Sequence, residues 1–375
     1  MNSKERIKAA MSLEVPDRVP VMCQFSIGHM LQQLEVSPVE FWFDCDTFAD
    51  GLLRLRNAYG FDGILISLHG HDPNWRDKIV SRKKVIEGEA VTLRDGTIMR
   101  FSTDDLPQII QKPNQNKLDF KDVDVSNLQG VLDYIPVSQG LHFSINPEHK
   151  FDVINKIVRE AGGNYSIHGE ITSPFDYFLD LFGQEEALIA LIDNPAKAKT
   201  VLEHFTFLIE SLAVQMCGTG IDAIKVSSPF AGAGFISPEF YSEFVLPFES
   251  RIARSIREKS VDVYLHTCGA VGDRLEMMFR SGASGIECLD PPPLGNVELE
   301  EAKKIAAGKG FIKGNIDSIN LLLFGSNEEI LEDARRRIEI GRHNGGFILS
   351  TACSIAPHVK RDKILLLKEA VERWG

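Results

Sequence analysis

Val261-Asp262-Val263-Tyr264-Leu265-His266-Thr267-Cys268 is the stretch on which the fold of this chain is decided. From Val261 to Leu265 apolar residues alternate with polar or aromatic ones, the period of a β-strand. His266 and Cys268 stand two apart at its end, so their side chains leave the backbone on one side. A second short apolar run, Phe347-Ile348-Leu349, is entered from Gly345-Gly346 and leads through Ser350-Thr351-Ala352 to Cys353. Both sets of soft ligands therefore follow a strand. In parallel α/β folds the carboxyl end of the sheet is where sites are assembled from several loops. An imidazole and two thiolates suit zinc, and three protein ligands are what a catalytic zinc uses while one position stays open. Cys268 and Cys353 are too far apart in sequence for a zinc-finger knuckle, so a shared ion would join separate strand ends. Taken by spacing alone, the same residues also read as packing cysteines and a satisfied strand-end histidine.

Working outward, the pattern strand, loop, helix repeats. Strands are expected at Tyr165–Gly169, Ala223–Ser227, Val261–Leu265, Gly285–Leu289, Gly310–Gly314 and Gly346–Leu349, with two earlier ones at Val19–Met22 and Phe61–Ser67. Helix starts carry their own signals: Asp193-Asn194-Pro195, Ser237-Pro238-Glu239 and the capping box Ser326-Asn327-Glu328-Glu329. Helical spacing also marks Ser3–Leu13 and a region around residues 38–59. Eight strands of this kind predict a single distorted (β/α)8 barrel of TIM type, with a doubly wound sheet as the alternative. Residues 79–112 break the pattern. Lys84–Leu93 and Ile98–Phe101 flank Arg94-Asp95-Gly96-Thr97, which predicts an antiparallel hairpin inserted into the barrel. No Pro/Gly/Ser-rich linker divides the chain, so residues 1–375 read as one domain.

Composition excludes several classes of partner. Hydrophobic residues at 43% and charged residues at 25% are ordinary for a globular protein. A net charge of -12 opposes binding to nucleic acid, and Arg335-Arg336-Arg337 reads as the solvated face of an amphipathic helix. The N-terminus lacks the apolar segment of a secretion signal, and no apolar run has the length of a membrane span; the expectation is a cytoplasmic protein with no membrane contact. Six scattered cysteines in a chain of this size predict reduced thiols, not a disulfide framework. Cys23, Cys45 and Cys217 sit among apolar neighbours and are expected to pack. Cys288, at another strand end, could approach a metal or pack.

The segment Gly220-Ile221-Asp222-Ala223-Ile224-Lys225-Val226-Ser227-Ser228-Pro229, with Ile236–Phe240, Leu246-Pro247, His266–Gly269, Lys313-Gly314-Asn315-Ile316-Asp317 and Gly345–Cys353, resembles the uroporphyrinogen decarboxylase superfamily. The resemblance covers most of the chain and is strongest from about residue 160 onward; it implies the distorted barrel. Within the superfamily it separates two chemistries. The decarboxylases carry an arginine-rich motif of the form Arg-Gln-Ala-Gly-Arg-Tyr after the first strand and an aspartate after the second. Here the first strand leads into Cys23-Gln24-Phe25-Ser26-Ile27-Gly28-His29 and the second into Ser67-Leu68-His69. A highly anionic tetrapyrrole needs such cations, since buried carboxylates without partners are costly. The zinc-dependent methyltransferases that use methylated corrinoid proteins instead carry His-x-Cys and a late Cys as metal ligands, and His266, Cys268 and Cys353 match that pattern.

What the resemblance then implies is a methyltransferase with zinc on His266, Cys268 and Cys353 and methylcobamide, carried on a separate corrinoid protein, as methyl donor. The chain has nothing like a corrinoid-binding Asp-x-His-x-x-Gly motif, so the donor is expected to dock over the barrel mouth. Zinc would deprotonate a small-molecule thiol acceptor, coenzyme M or another, or methyl would pass to a tetrahydrofolate-type acceptor. Glu170, at the end of another strand, is the candidate fourth ligand and catalytic carboxylate, and reads equally as a helix N-terminal acid. Asp290 and Asn315 are further catalytic candidates, with Ser227 and Asp317 beside them near strand ends; each also reads as a loop or cap residue. His69 and His71 would line the mouth without a second metal. The alternatives are decarboxylation of uroporphyrinogen or a smaller substrate, and a non-catalytic protein that binds zinc or serves the corrinoid pathway.

Overall fold

A computed structural model describes residues 1–86, 88–113, 118–137 and 141–375. Its strands are β1 (Gly63–Ile66), β2 (Ile79–Val85), β3 (Gly88–Leu93), β4 (Ile98–Ser102), β5 (Gln108–Gln111), β6 (Tyr134–Pro136), β7 (His142–Ser144), β8 (Ser166–Thr172), β9 (Ala223–Ser227), β10 (Asp262–Thr267), β11 (Gly285–Cys288), β12 (Phe311–Ile316) and β13 (Phe347–Thr351). Seven of these form one parallel sheet in the order β1-β8-β9-β10-β11-β12-β13. Strict chain order with a helical crossover at nearly every step is the signature of a barrel wound in one direction.

The eighth position belongs to Val19–Met22, which forms no named strand, only an isolated parallel bridge from Val21 to Leu349. It nevertheless spans the gap between the sheet's two edges. The amides of Leu349 and Met22 donate to the carbonyls of Pro20 (2.9 Å) and Leu349 (3.0 Å), and on the other flank Asp62 N donates to Val21 O at 2.8 Å. Pro20 has no N–H to give, which shortens the ladder that can form here. Side chains complete the closure: the fully buried Asp62 carboxylate accepts from Val21 N, Arg6 and Arg18. Removing it would leave two guanidinium groups short of a counter-charge in a partly desolvated place. Asp62→Ala is therefore expected to lower stability by about 3–5 kcal/mol, read as a drop in the urea midpoint without change in slope.

One end of the barrel is sealed. The helix Ser3–Met11 lays Ile7, Ala10 and Met11 against Met22, Leu65, Ala223, Tyr264, Phe311 and Ile348, the inward residues of the strands' first layer. Its capping box, with Asn2 and Glu5 bonding each other's amides, fixes where it starts. The helix starts expected at Asn194-Pro195, Ser237-Pro238 and Ser326 are the observed caps of Pro195–Cys217, Pro238–Phe244 and Asn327–Gly341. Access to the barrel interior is left to the opposite, carboxyl end of the strands.

The inserted segment is larger than a hairpin: β2, β3, β4 and β5 pair antiparallel in sequence order, with Arg94–Thr97 as the β3–β4 turn. Glu87, within the stretch expected as strand, lies outside the described residues. All six cysteines are free thiols; Cys23 is buried, and Cys45 and Cys217 are half-buried against the core. No helix among the described residues is long and apolar enough to cross a membrane.

Candidate metal centre

Period-2 alternation turns one residue in two of each parallel strand into the barrel. Above the first layer, apolar but for His168 against the Tyr264 hydroxyl, the inward positions are charged or polar: Glu170 on β8, Lys225 on β9, His266 on β10, Glu287 on β11 and Lys313 on β12. These side chains form one chain of contacts. His266 Nδ1 lies 2.9 Å from Glu287 Oε2, Lys313 is bonded to Glu287 Oε1, and Lys225 lies 3.6 Å from Glu287 and 3.1 Å from Glu170 Oε1. Burial alone would raise the Glu287 carboxyl, but the ammonium groups of Lys313 and Lys225 hold it well below the usual range. Burial, helped by Lys225, depresses the His266 imidazole. A neutral imidazole facing a carboxylate donates a hydrogen bond from Nδ1–H to it, which leaves the lone pair on Nε2.

That lone pair points at the thiols. Cys268 Sγ is 3.3 Å from His266 Nε2, and the ligand atoms of His266, Cys268 and Cys353 all lie within 4.8 Å of one another. Both sulfurs are half-buried while the histidine is buried, so the group opens toward the unsealed end. Both thiols are pushed above the ordinary value, each by its hydrogen-bonded neighbour, Cys288 for Cys268 and Cys268 for Cys353. Crowded thiols beside a correctly protonated imidazole are a donor set that a soft divalent cation fits.

Cys288 packs and approaches at once. Its thiol, pushed up to about 12 by burial, donates to Asp290 Oδ2 at 3.2 Å, and Cys268, Cys288 and Asp290 also lie within 4.8 Å of one another. Positive φ at Cys288 (83°) and Leu289 (59°) marks the backbone turn at which Cys288 and Asp290 come within 4.8 Å of Cys268. Asp290 also accepts from Gly269 N at 2.7 Å, tying the loop after β11 to the His-x-Cys loop.

Other expected site residues are placed differently. Glu170 is not in either ligand group; its Oε1 goes to Lys225. Asn315 is buried but turned outward: its amide donates to Leu289 O at 2.8 Å and its carbonyl takes Arg337 from the helix Asn327–Gly341. Arg337, read from sequence as solvated, is thus buried, the pull being the side-chain oxygen of Asn315 beneath the helix. Asp317 caps its own loop through Ile319 N and Asn320 N, and Ser227 O accepts from Ser173 N. His69 gives Nδ1 to Lys150 O at 2.7 Å, and His71 lies between Phe48 and Phe143; neither joins a ligand group among the described residues. Lys225, Glu287 and Lys313 were not among the site residues suggested by the sequence, although Lys225 and Lys313 lie in segments that carry the family resemblance. The signal was there: a lone charge in the middle of an apolar strand, as in Ala-Ile-Lys-Val and Gly-Ile-Glu-Cys.

Behind the site two buried carboxyls, Asp176 and Glu249, are each raised to about 7 by burial. Ser173 Oγ donates to Asp176, and Tyr241 to Glu249. Their folded values lie above the unfolded ones. Between about pH 4 and pH 7 the native state holds protons that the unfolded chain has released, so stability falls as pH rises through that window. Each contributes a loss on the order of 3 kcal/mol. Asp176→Asn is expected to flatten that fall, seen as urea midpoints at pH 5 and pH 8 that differ less than in the wild type.

Residues 99–374 match the uroporphyrinogen decarboxylase (URO-D) family. This chain belongs to that family. Within it, the chain is 24% identical over 373 residues to the methylcobamide:CoM methyltransferase MtbA of Methanosarcina acetivorans, covering 94% of this chain and 92% of that one. A uroporphyrinogen decarboxylase of Ruthia magnifica is 22% identical over only 189 residues, 49% of this chain and 52% of that one. In structure, a methyltransferase from Methanosarcina mazei superposes with a TM-score of 0.73 over 100% of this chain and 99% of that one at 19% identity, which speaks for the TIM-type barrel fold. The expected kinship, with the corrinoid methyltransferases of the superfamily, is what the comparisons find.

Proposed function

We propose that this methyltransferase holds zinc on His266, Cys268 and Cys353 and transfers a methyl group from a methylated corrinoid, carried by a separate protein, to a small-molecule acceptor, a thiol first and a tetrahydrofolate-type molecule otherwise. One observation carries the reading: a lone-pair imidazole nitrogen and two half-buried thiols converge within 4.8 Å at the open end of a barrel. Zinc held by these residues would supply Lewis acidity that favours the thiolate form of an acceptor thiol near neutral pH. In the transfer the acceptor's sulfur–carbon bond forms as the donor's carbon–cobalt bond breaks; the electron pair stays on cobalt and the thiol proton goes to solvent.

The chain's own groups have separate tasks. Glu287 fixes the tautomer and angle of His266, and Lys313 and Lys225 keep Glu287 ionised. Asp290, grouped within 4.8 Å with Cys268 and Cys288 where Glu170 joins neither group, would be the carboxylate that helps hold a metal bound there. Asn315 acts through Leu289, whose carbonyl it holds beside Asp290. Decarboxylation is the weaker reading, because the segment after the first strand offers Gln24 where a polyanionic substrate needs arginines, and Gln24 is taken up by Lys225 at 2.5 Å.

The test is to measure zinc in the purified protein and to assay demethylation of free methylcobalamin with thiols and with tetrahydrofolate. Stoichiometric zinc and metal-dependent demethylation are expected. Turnover unaffected by complete zinc removal overturns the reading.

A further inference from the structure

The two oxygens of the Glu170 carboxylate are in unlike situations. Oε1 meets Lys225 at 3.1 Å, whereas Oε2 is buried and has no hydrogen-bond partner among the described residues. The side chain keeps 14% of its surface open. Glu170 stands near the carboxyl end of β8, the end of the barrel that the helix Ser3–Met11 does not seal and at which Cys268 and Cys353 follow their own strands. A buried carboxylate oxygen without a donor costs about 1–3 kcal/mol or more, an energy recovered when a donor arrives.

The charges around it decide what kind of donor fits. Lys225 already contacts Glu170, Glu287 and Gln24, and Lys313 contacts Glu287. Two ammonium groups and two carboxylates therefore cancel. The thiolates of Cys268 and Cys353 would balance a divalent ion. A further anion on the acceptor would enter a balanced, largely desolvated site and face the bare Glu170 oxygen, which is unfavourable.

We propose that Glu170 determines acceptor specificity: its Oε2 receives an ammonium, amide or hydroxyl donor carried close to the acceptor's sulfur, so that the acceptor is a cationic or neutral thiol and not an anionic one such as 2-mercaptoethanesulfonate. This rests on the methyltransferase reading above. Three thiols of equal length separate the cases: cysteamine, 2-mercaptoethanol and 2-mercaptoethanesulfonate. With zinc-loaded full-length protein and free methylcobalamin, kcat/KM for cysteamine is expected to exceed that for the sulfonate by roughly tenfold or more. In Glu170→Gln, that ratio is expected to move toward parity.

A binding readout accompanies the rates. Thiol titration of the cobalt(II)-substituted protein, followed by its sulfur-to-metal absorption, should give the same order of affinities without turnover. Preference for the sulfonate in the wild type, or a ratio that Glu170→Gln leaves as it was, overturns this inference alone. Failure to methylate any of the three thiols despite bound zinc overturns it together with the thiol-acceptor reading. The wild-type ranking decides the matter even if the variant folds poorly.

Discussion

Cys353→Ala is expected to reduce bound zinc from stoichiometric to trace and to cut methyl transfer by roughly a thousandfold, since a free thiol is only a few per cent ionised at neutral pH and loses its positioning as well. The geometry makes this residue decisive. His266 and Cys268 come from one strand end and Cys353 from another, so only Cys353 ties the last strand, β13, into the group. Two remaining ligands separated by one residue form a weak chelate. The fold should survive, because the side chain is half-buried and its truncation removes little apolar contact. Zinc analysis and circular dichroism of the same sample separate the two effects. Cys217→Ala is the control: that thiol sits on the helix Pro195–Cys217, outside both ligand groups, and zinc should be retained. A Cys353→Ala protein that kept both metal and transfer would sink the proposed centre.

Glu287→Gln should produce two losses that can be told apart. The first is metal affinity. An amide can still accept from His266 Nδ1 but no longer with a full charge, and loss of such a partner typically costs 10–100-fold in affinity. The second is stability. Lys313 and Glu287 are 0% and 2% exposed, so neutralising the acid leaves a buried ammonium short of its counter-charge, at about 3–5 kcal/mol. Glu287→Gln combined with Lys313→Met removes the orphaned charge and should recover much of the stability while metal affinity stays low. Chelator competition measures the first quantity and urea unfolding the second. Zinc affinity unchanged in both variants would show that the carboxylate does not act through His266.

The sequence made the general architecture legible because a barrel is written locally. Each strand is a short apolar run, each helix start has a cap such as Asn194-Pro195 or the Ser326 box, and these signals depend on neighbours within a few residues. His266, Cys268 and Cys353 were legible for the same reason, through residue type and position at strand ends. Val19–Met22 was found as a segment, but its role as a bridge between two sheet edges was not, since that depends on Asp62, Arg6 and Arg18 meeting from distant places.

The charged layer inside the barrel was decided by tertiary structure alone. Lys225, Glu287 and Lys313 look improbable one strand at a time, because an unpaired charge in a buried strand is costly. Only closure of the sheet shows that β9, β11 and β12, with His266 of β10 between them, bring opposite charges together at one level. Asn315 makes the converse point: its place near a strand end suggested the site, yet Arg337 turns it away. Residue type and local period thus determined the barrel and the three candidate ligands, whereas pairing energies across strands decided how His266 is held and that Asp290, not Glu170, is grouped with Cys268.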